Sequence, residues 1–467
     1  MRPSDRAPAI EATLSRRHAG RVRKPDPPAV LSAFVRAFKT PDLRRKLLFT
    51  LAIMAIFRLG SFVPTPGVSY TNVQECLAGI DTSNDLLGLV NLFSGGALLQ
   101  LSVFALGIMP YITASIIIQL LRVVIPRFEA LHKEGQSGTA KLTQYTRYLT
   151  IGLAILQSST YVAVARSGNL FTTGGTGAPP ACLEVIPNDS LVIILLMVIT
   201  MTAGTGLIMW LGELITERGV GNGMSLLIFT SIAATFPGSI WAIGRQRGYE
   251  VMALVIAIGL VIVALVVFVE QSQRRVPVQY AKRMVGRRMY GGTSTYIPIK
   301  VNMAGVIPVI FASSLLYLPA LVAQFNDPTS DWVVWVSNVF VTGDHPVYIA
   351  SYFLLIVFFT YFYVSITFNP DEVADNIKRV GGFIPGIRAG RPTAEYLDYI
   401  LTRITLPGSL YLGAVALIPL IALVVVGANQ NFPFGGTSIL IVVGVGLETV
   451  KQIESQLQQR HYEGFLR

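Results

Sequence analysis

The chain has 467 residues, of which 52% are hydrophobic and only 13% are charged, and its mean hydropathy is +0.57. Because soluble domains carry about 25% charged residues, this composition excludes a soluble globular protein and predicts one that crosses a membrane several times. Lys and Arg outnumber Asp and Glu by 37 to 26, so the placement of the cations can predict the orientation.

Ten apolar runs approach the ~20 residues that a membrane-spanning helix needs. They lie near 47–64, 99–122, 148–165, 190–211, 224–243, 251–269, 302–323, 347–368, 407–427 and 435–450. The sequence therefore predicts an all-α membrane protein with ten transmembrane helices. Segment 331–340 is apolar but too short to span, and we expect it to lie at the membrane interface.

The cations are concentrated in alternate loops. With the N-terminus inside, 33 of the 37 Lys and Arg fall on inner segments, whereas the outer loops 65–98, 167–189, 324–346 and 428–434 contain none. By the positive-inside rule, both termini are predicted to be cytoplasmic. The second and seventh spans then run in opposite directions.

Residues 1–29 are rich in Arg, Pro and Ala and lack apolar periodicity, which predicts a disordered cytoplasmic extension. They are not a signal peptide, because they contain no apolar h-region. One hypothesis is that Val30 is the native start, read from a GTG codon. The alternative is a genuine, poorly ordered extension.

The outer loop after the first span contains an apolar segment, 84–98, that is interrupted by Gly88, Gly95 and Gly96. Irregular backbone at membrane depth is tolerated only inside protein or beside a water-filled cavity. The segment is therefore a candidate for chain that folds back into a cavity. A helix lying on the outer membrane surface is the alternative.

Two apolar segments share a motif. Residues 107–115 (GIMPYITAS) and 305–313 (GVIPVIFAS) have Gly, Pro, Ile, Ala and Ser at the same five of nine positions. They fall on the second and seventh spans, which are antiparallel, as an inverted repeat requires. Chance similarity between two apolar helices is the alternative.

Two inner loops are long enough to leave the membrane plane. Loop 271–300 carries seven cations and no acidic residue, and β-type alternation at both ends predicts a protruding hairpin that presents cations to phosphates of anionic lipid or nucleic acid. A topology signal alone is the alternative. Loop 369–407 has mixed charge, and the two loops together suit docking of a large partner. The glycine-rich segment 212–223 follows no strand, so a tight turn is expected there rather than a nucleotide site.

No pattern of catalytic or metal-binding residues occurs in the sequence. The four histidines lie in separate segments, and no Walker motif is present, so no catalytic residue, metal or cofactor is expected. Arg58 is the one charged residue inside a predicted span away from its ends. Since ion-coupled transporters place ionisable groups near the middle of the membrane, a small-solute transporter is disfavoured.

The two cysteines, Cys76 and Cys182, both fall in predicted outer loops. An oxidising environment there permits a disulfide, and two free thiols are the alternative.

Long motifs throughout the chain resemble the SecY family, the channel subunits of the bacterial protein translocase. These motifs are GSFVPTPGV (60–68), NLFSGGAL (91–98), FALGIMPYITASIIIQLL (104–121), KEGQSGTAKLTQYTRY (133–148), MWLGELITERGVGNG (209–223), QRRVPVQYAKR (273–283), VNMAGVIPVIFASS (301–314), GGFIPGIRAGRPT (381–393) and FGGTSILIVV (434–443). The resemblance covers nearly the whole chain from Val30.

The resemblance implies two inverted five-helix halves, 30–249 and 250–467, around an hourglass pore, with the second and seventh helices lining a lateral gate. Its apolar constriction, here called the pore ring, maps onto Ile108, Ile112, Met224, Ile228, Ile310 and Ile441, where Met224 replaces the usual isoleucine. The segment 84–98 corresponds to the plug, with Asn91, Leu92, Phe93, Ser94, Gly95 and Gly96 at its centre.

The resemblance also implies partners. Arg287 and Arg288 match a hairpin tip that contacts ribosomal RNA, and Arg388 matches an arginine needed to engage the motor ATPase SecA or the ribosome. Subunits resembling SecE and SecG are expected, together with signal peptides, nascent chains and anionic lipids, and SecDF and YidC as further partners. Energy would come from SecA, translation or the proton-motive force.

Overall fold

Helices make up most of the chain in the computed structural model, as apolar segments in a membrane require, because a helix satisfies its own backbone hydrogen bonds. The structure describes residues 38, 40–79, 94–166, 185–187, 190–280, 283–285, 288–290, 294–323, 330–341, 345–426 and 436–463. The extension 1–29 lies outside these ranges.

The described helices are numbered here in chain order. Before the β-hairpin they are α1 (Pro41–Gly60), α2 (Tyr70–Gly79), α3 (Met109–Val124), α4 (Pro126–Lys133), α5 (Gln136–Arg166), α6 (Leu191–Arg218), α7 (Gly223–Arg247) and α8 (Tyr249–Gln271). After it they are α9 (Ile307–Ala323), α10 (Asp331–Val336) with a π-helical turn at Ser337–Val341, α11 (Pro346–Thr367), α12 (Pro370–Arg379), α13 (Arg391–Val426) and α14 (Gly436–Glu463).

Each of the ten predicted spans overlaps a described helix. Among the described residues, six helices are long and apolar enough to cross a membrane on their own, namely α5, α6, α7, α8, α11 and α13. The pair α3 and α4, which is bent by 100°, would add a seventh if it formed one span. The predicted interface segment 331–340 is helical, and Trp332 and Trp335 on it are exposed.

The sequence-based start of the second span, at residue 99, is wrong. Residues 95–108 form consecutive turns, and the helix begins only at Met109. Positive φ values at Gly95, Gly96, Leu101 and Gly107 interrupt the helix there, because such values are incompatible with a right-handed helix. The seventh span begins late for the same reason, at Ile307 after a positive φ at Gly305.

The predicted hairpin in loop 271–300 is confirmed. Strand β1 (Gln273–Tyr280) pairs antiparallel with β4 (Ser294–Lys300), and β2 (Arg283–Val285) pairs with β3 (Arg288–Tyr290). A short strand from the next inner loop, β5 (Gly382–Phe383), adds to the other edge of β1. The two inner loops therefore share one sheet.

The predicted tight turn between α6 and α7 is held by side-chain hydrogen bonds. The Asn222 side-chain oxygen accepts hydrogen bonds from the backbone N–H groups of Met224 and Ser225, which caps α7. The Thr216 hydroxyl accepts one from the Gly223 N–H, at 2.9 Å. This turn fixes where α7 begins relative to α6.

Gly204 on α6 makes a close backbone approach to the turns that precede α3. A Cβ at this position would overlap the Val103 carbonyl oxygen, whereas a Cβ at Gly206 on the same helix would meet nothing within 4 Å. The absence of a side chain at Gly204 therefore lets the irregular segment 95–108 pack against α6.

We predict opposite effects for alanine at these two glycines. Gly204→Ala should lower the free energy of unfolding by about 1–3 kcal/mol through overpacking, whereas Gly206→Ala should leave it unchanged or raise it by up to about 1 kcal/mol through helix propensity. Thermal unfolding of the purified protein in detergent measures both. Equal stability of the two variants would contradict this packing.

Candidate functional site

The repeated motif adopts the same local structure in both copies. Gly107 has φ 55° and Gly305 has φ 62°. Each glycine is followed two residues later by the first residue of a helix, α3 or α9, with proline at the second helical position, where its missing N–H is not needed. The two helices contact each other. The five sequence identities therefore encode a helix start that occurs twice.

The pore ring residues come together in one apolar cluster. Ile108, Ile228, Ile310 and Ile441 are buried. Ile112 and Met224 are half-buried and pack against the same cluster. These side chains come from α3, the turn before it, α7, α9 and α14. Residues up to 333 positions apart along the chain thus meet in one apolar cluster.

The cluster contains further side chains that sequence reasoning missed: Ile53, Phe57, Phe104, Ile208, Leu211, Ile215, Leu226, Leu227, Ile232 and Val445. Among them, the rings of Phe57 on α1 and Phe104 stack with centroids 5.9 Å apart. The additional residues come from α1, α6, α7, α14 and the turns before α3. Apolar residues within apolar runs give no signal that could have distinguished them from lipid-facing ones.

Gly212 on α6 explains how methionine is accommodated in the ring. A Cβ at Gly212 would overlap the Met224 sulfur. The flexible Met224 thioether therefore occupies space that any side chain at position 212 would fill.

A cavity of about 410 Å³ lies beside the ring, at the ends of the helices that are predicted to be inner. Both α3 and α9 border it, and its apolar part is formed by Ile112, Ile116, Met224, Ile228, Ile307, Ile310 and Phe311. Its polar lining is Tyr111, Ser115, Gln119, Thr143, Arg147, Glu213, Thr216, Glu217, Asn222 and Ser225. This space is called the α3–α9 cavity below.

A bidentate ion pair joins α5 to α6 at the edge of the cavity. Arg147 donates from Nε to Glu213 Oε1 at 2.9 Å and from Nη2 to Glu213 Oε2 at 2.6 Å. The side chains are 38% and 17% exposed, respectively. The pair therefore compensates a mostly buried carboxylate. The two partners are 66 positions apart in the chain, so the sequence contains no local sign of the pair.

The family model for SecY matches residues 102–450, which is well over half of the chain. The chain belongs to the SecY family. It is 68% identical over 442 residues to protein translocase subunit SecY of Streptomyces galbus, covering 94% of this chain and 100% of that protein. It is 58% identical over 448 residues to the SecY of Mycobacterium tuberculosis, with the same coverage. The prediction of a protein-conducting channel subunit, not an enzyme, is thereby confirmed.

Solved structures of the SecY fold are similar to this one over most of its length. A structure described as a protein conducting channel gives a TM-score of 0.58 at 17% identity, covering 88% of this chain and 91% of that one. A SecY structure in which the plug domain stabilises the closed state gives 0.57 at 19% identity, with the same coverage. The predicted fold class is confirmed.

The plug of the SecY family falls mostly outside the described residues. Asn91, Leu92 and Phe93 lie there, whereas Ser94 is buried and its hydroxyl accepts a hydrogen bond from the Leu98 N–H at 3.1 Å. The Arg58 guanidinium is hydrogen-bonded to the same segment, because its Nη1 donates to the Gly95 carbonyl oxygen. Its guanidinium also lies 4.7 Å from the centre of the Phe62 ring. The lone cation of the first predicted span thus binds the segment that corresponds to the plug.

The structure describes the three predicted contact residues for SecA and the ribosome to different extents. Arg287 lies outside the described residues, and only the backbone of Arg288, in β3, is described. Arg388 is exposed between β5 and α13, and its carbonyl oxygen accepts a hydrogen bond from the Thr393 hydroxyl at 2.8 Å. Because β5 pairs with β1, the loop of Arg388 is attached to the hairpin.

The structure describes one of the two cysteines of the predicted disulfide. Cys76 on α2 is fully buried and disulfide-bonded. Cys182 lies outside the described residues, so the pairing of these two cysteines stays a prediction.

We predict a strong coupling between Arg147 and Glu213. Arg147→Leu should destabilise the protein by about 1–2 kcal/mol, because it leaves a mostly buried carboxylate uncompensated; the partial exposure of Arg147 keeps the value low. The double variant Arg147→Leu/Glu213→Leu should recover much of that loss. Unfolding of the two single variants and the double variant in detergent gives the coupling energy.

The exposed pair Lys133 and Glu129 on α4 provides the matched control. The same cycle there should give no measurable coupling. An equal coupling in both cycles would mean that burial does not strengthen the Arg147 pair.

Proposed function

We propose that this subunit forms the pore through which unfolded secretory proteins cross the plasma membrane, and that it releases membrane-protein segments sideways into lipid. The observation that carries the proposal is the meeting of Ile108, Ile228, Ile310 and Ile441 in one apolar cluster at the contact of α3 and α9. A narrow apolar constriction resists wetting, so it holds back ions. It can also deform around a passing chain, because its contacts are not directional.

The proposed moving parts follow the family pattern. Residues 30–249 and 250–467 act as two halves, and the contact between α3 and α9 is where they part toward lipid. The segment 84–98 acts as a plug that closes the outer side of the constriction. Arg58 on α1 supports this assignment, since it binds the carbonyl oxygen of Gly95 within this segment.

The proposed orientation places both termini and the sheet of β1, β4 and β5 in the cytoplasm. The concentration of Lys and Arg on the segments of that side supports it. We place the SecA and ribosome contacts at Arg287, Arg288 and Arg388 on this sheet and its loops. A solved structure with a TM-score of 0.56 and 16% identity is Sec61 in a canine ribosome–channel complex. SecE, SecG, SecDF, YidC and anionic lipids complete the proposed partners.

Reconstitution tests the proposed function. The chain is placed in vesicles with SecE-like and SecG-like subunits, and SecA, ATP and a precursor protein are added outside. We expect the precursor to become protected from protease only when ATP is present. Saturable flux of a small solute without precursor protection would overturn the proposal in favour of a transporter.

We predict that Arg388→Glu abolishes SecA-dependent transport without unfolding the protein, because charge reversal on the exposed side of a docking loop repels an acidic partner surface. The matched control is Arg391→Glu, three residues away at the start of α13, where Arg391 pairs only with the exposed Glu395 among the described residues. Protease protection of a precursor and thermal unfolding are measured for both. Normal transport by the Arg388 variant would refute the assignment.

A further inference from the structure

The side chain of Asn302 joins the end of α8 to the chain just before α9. Asn302 is 3% exposed. Its amide nitrogen donates to Glu270 Oε1 at 2.6 Å and to the Gly305 carbonyl oxygen at 3.1 Å. Glu270 is the last residue but one of α8, and α9 begins two residues after Gly305. One side chain thus connects two helices that the β-hairpin separates along the chain.

The two partners of Asn302 determine the orientation of its amide. A carboxylate and a backbone carbonyl accept hydrogen bonds, so the amide nitrogen faces them. Asn302 Oδ1 is then left without a hydrogen-bond partner in the described part of the chain. A buried acceptor without a partner costs stability. An apolar residue would serve folding better at this position, which indicates that the link itself has a function.

The residues beside this link are held by the hairpin and by α13. The Val301 N–H donates to the Ser272 carbonyl oxygen at 3.0 Å, which closes the base of the hairpin. A Cβ at Gly408 on α13 would overlap the Val301 carbonyl oxygen, so α13 approaches this backbone closely. Since α8, the hairpin and α13 all lie within residues 250–467, the link attaches α9 to the second half of the chain.

A ring residue depends on where α9 begins. Ile310 lies in the first turn of α9. The next side chain, Phe311, packs edge-on against Phe359 and Tyr363 of α11, with ring centroids 5.6 and 6.4 Å apart. The contact of α9 with α3 is instead made by apolar packing around the pore ring. Directional contacts therefore hold the start of α9 to its own half.

We propose that Glu270 and Asn302 are positioning residues, which keep the start of α9 fixed to the second half so that the gate opens only between α3 and α9. Without the link, the first turn of α9 would move separately from α8 and α14, and Ile310 would separate from Ile441. The link thus keeps one side of the constriction intact while the other side moves. The inference rests on the proposed function and adds which helix contact parts and which one is locked.

Distances between spin labels in the reconstituted complex test the inference. Cysteines for labelling are introduced as Leu315→Cys on α9 together with Phe268→Cys on α8 or Val123→Cys on α3, and all three positions are exposed. Cys76 takes no label, because it is buried and disulfide-bonded. Each distance is measured by electron paramagnetic resonance in the idle complex and with an arrested precursor.

With otherwise unchanged protein, the arrested precursor should lengthen the distance between positions 315 and 123 by roughly 5–10 Å, about one-half to one helix diameter. The distance between positions 315 and 268 should stay constant within about 1 Å, as for parts that move as one body.

The double variant Glu270→Leu/Asn302→Leu removes the link by replacing both partners with apolar side chains, so it should keep nearly the stability of the wild type. In this variant, the arrested precursor should change the distance between positions 315 and 268 by more than about 2 Å. Glu270→Gln keeps an acceptor for Asn302 and should leave that distance constant. Glu250→Leu, which removes an exposed carboxylate at the other end of α8, is the matched control and should also leave it constant.

Thermal unfolding of each variant separates positioning from folding. If the double variant unfolds, Asn302→Ala takes its place with the same expected change. A constant distance between positions 315 and 268 without the link, or an equal change in Glu270→Gln, overturns the inference. An unchanged distance between positions 315 and 123 in the otherwise unchanged protein would instead overturn the proposed gate.

Discussion

The contact between α3 and α9 around the pore ring is the constraint on which the rest of the structure depends. It is made of isoleucine and methionine side chains, without a hydrogen bond or ion pair between ring residues in the described structure. Within a membrane, helix association gains little from the hydrophobic effect, because lipid chains are as apolar as the side chains. Such a contact is held by packing, and lipid or an apolar peptide can replace it at small cost.

Two polar interactions lie near this contact. Arg58 binds the carbonyl oxygen of Gly95, within the segment that corresponds to the plug, and Arg147 binds Glu213 at the edge of the α3–α9 cavity. Both interactions join elements of the first half of the chain to each other. Neither of them involves α9, so neither has to break for α3 and α9 to separate.

Much of the architecture could be predicted from the sequence, since apolar runs and cation placement reflect the membrane directly. The ten helix positions and the hairpin followed from such patterns. The predicted helix start at residue 99 was wrong because Leu101 adopts a positive φ. A leucine in the sequence gives no sign of this backbone conformation. The pore ring stays a prediction from family resemblance, because an isoleucine that faces a pore and one that faces lipid cannot be distinguished in a single sequence. The Arg147–Glu213 pair was missed since long-range partners leave no local signal.

The most direct measurement is disulfide cross-linking of a stalled precursor to the ring. A precursor with one cysteine in its translocating part is arrested in the channel, and single cysteines are introduced as Ile310→Cys in the ring and Leu315→Cys, which is exposed on the same helix. Cys76 does not compete, because it is buried and disulfide-bonded. We predict cross-links to position 310 and none to position 315. Cross-links to position 315 alone would show that the chain passes outside the ring and would contradict the account.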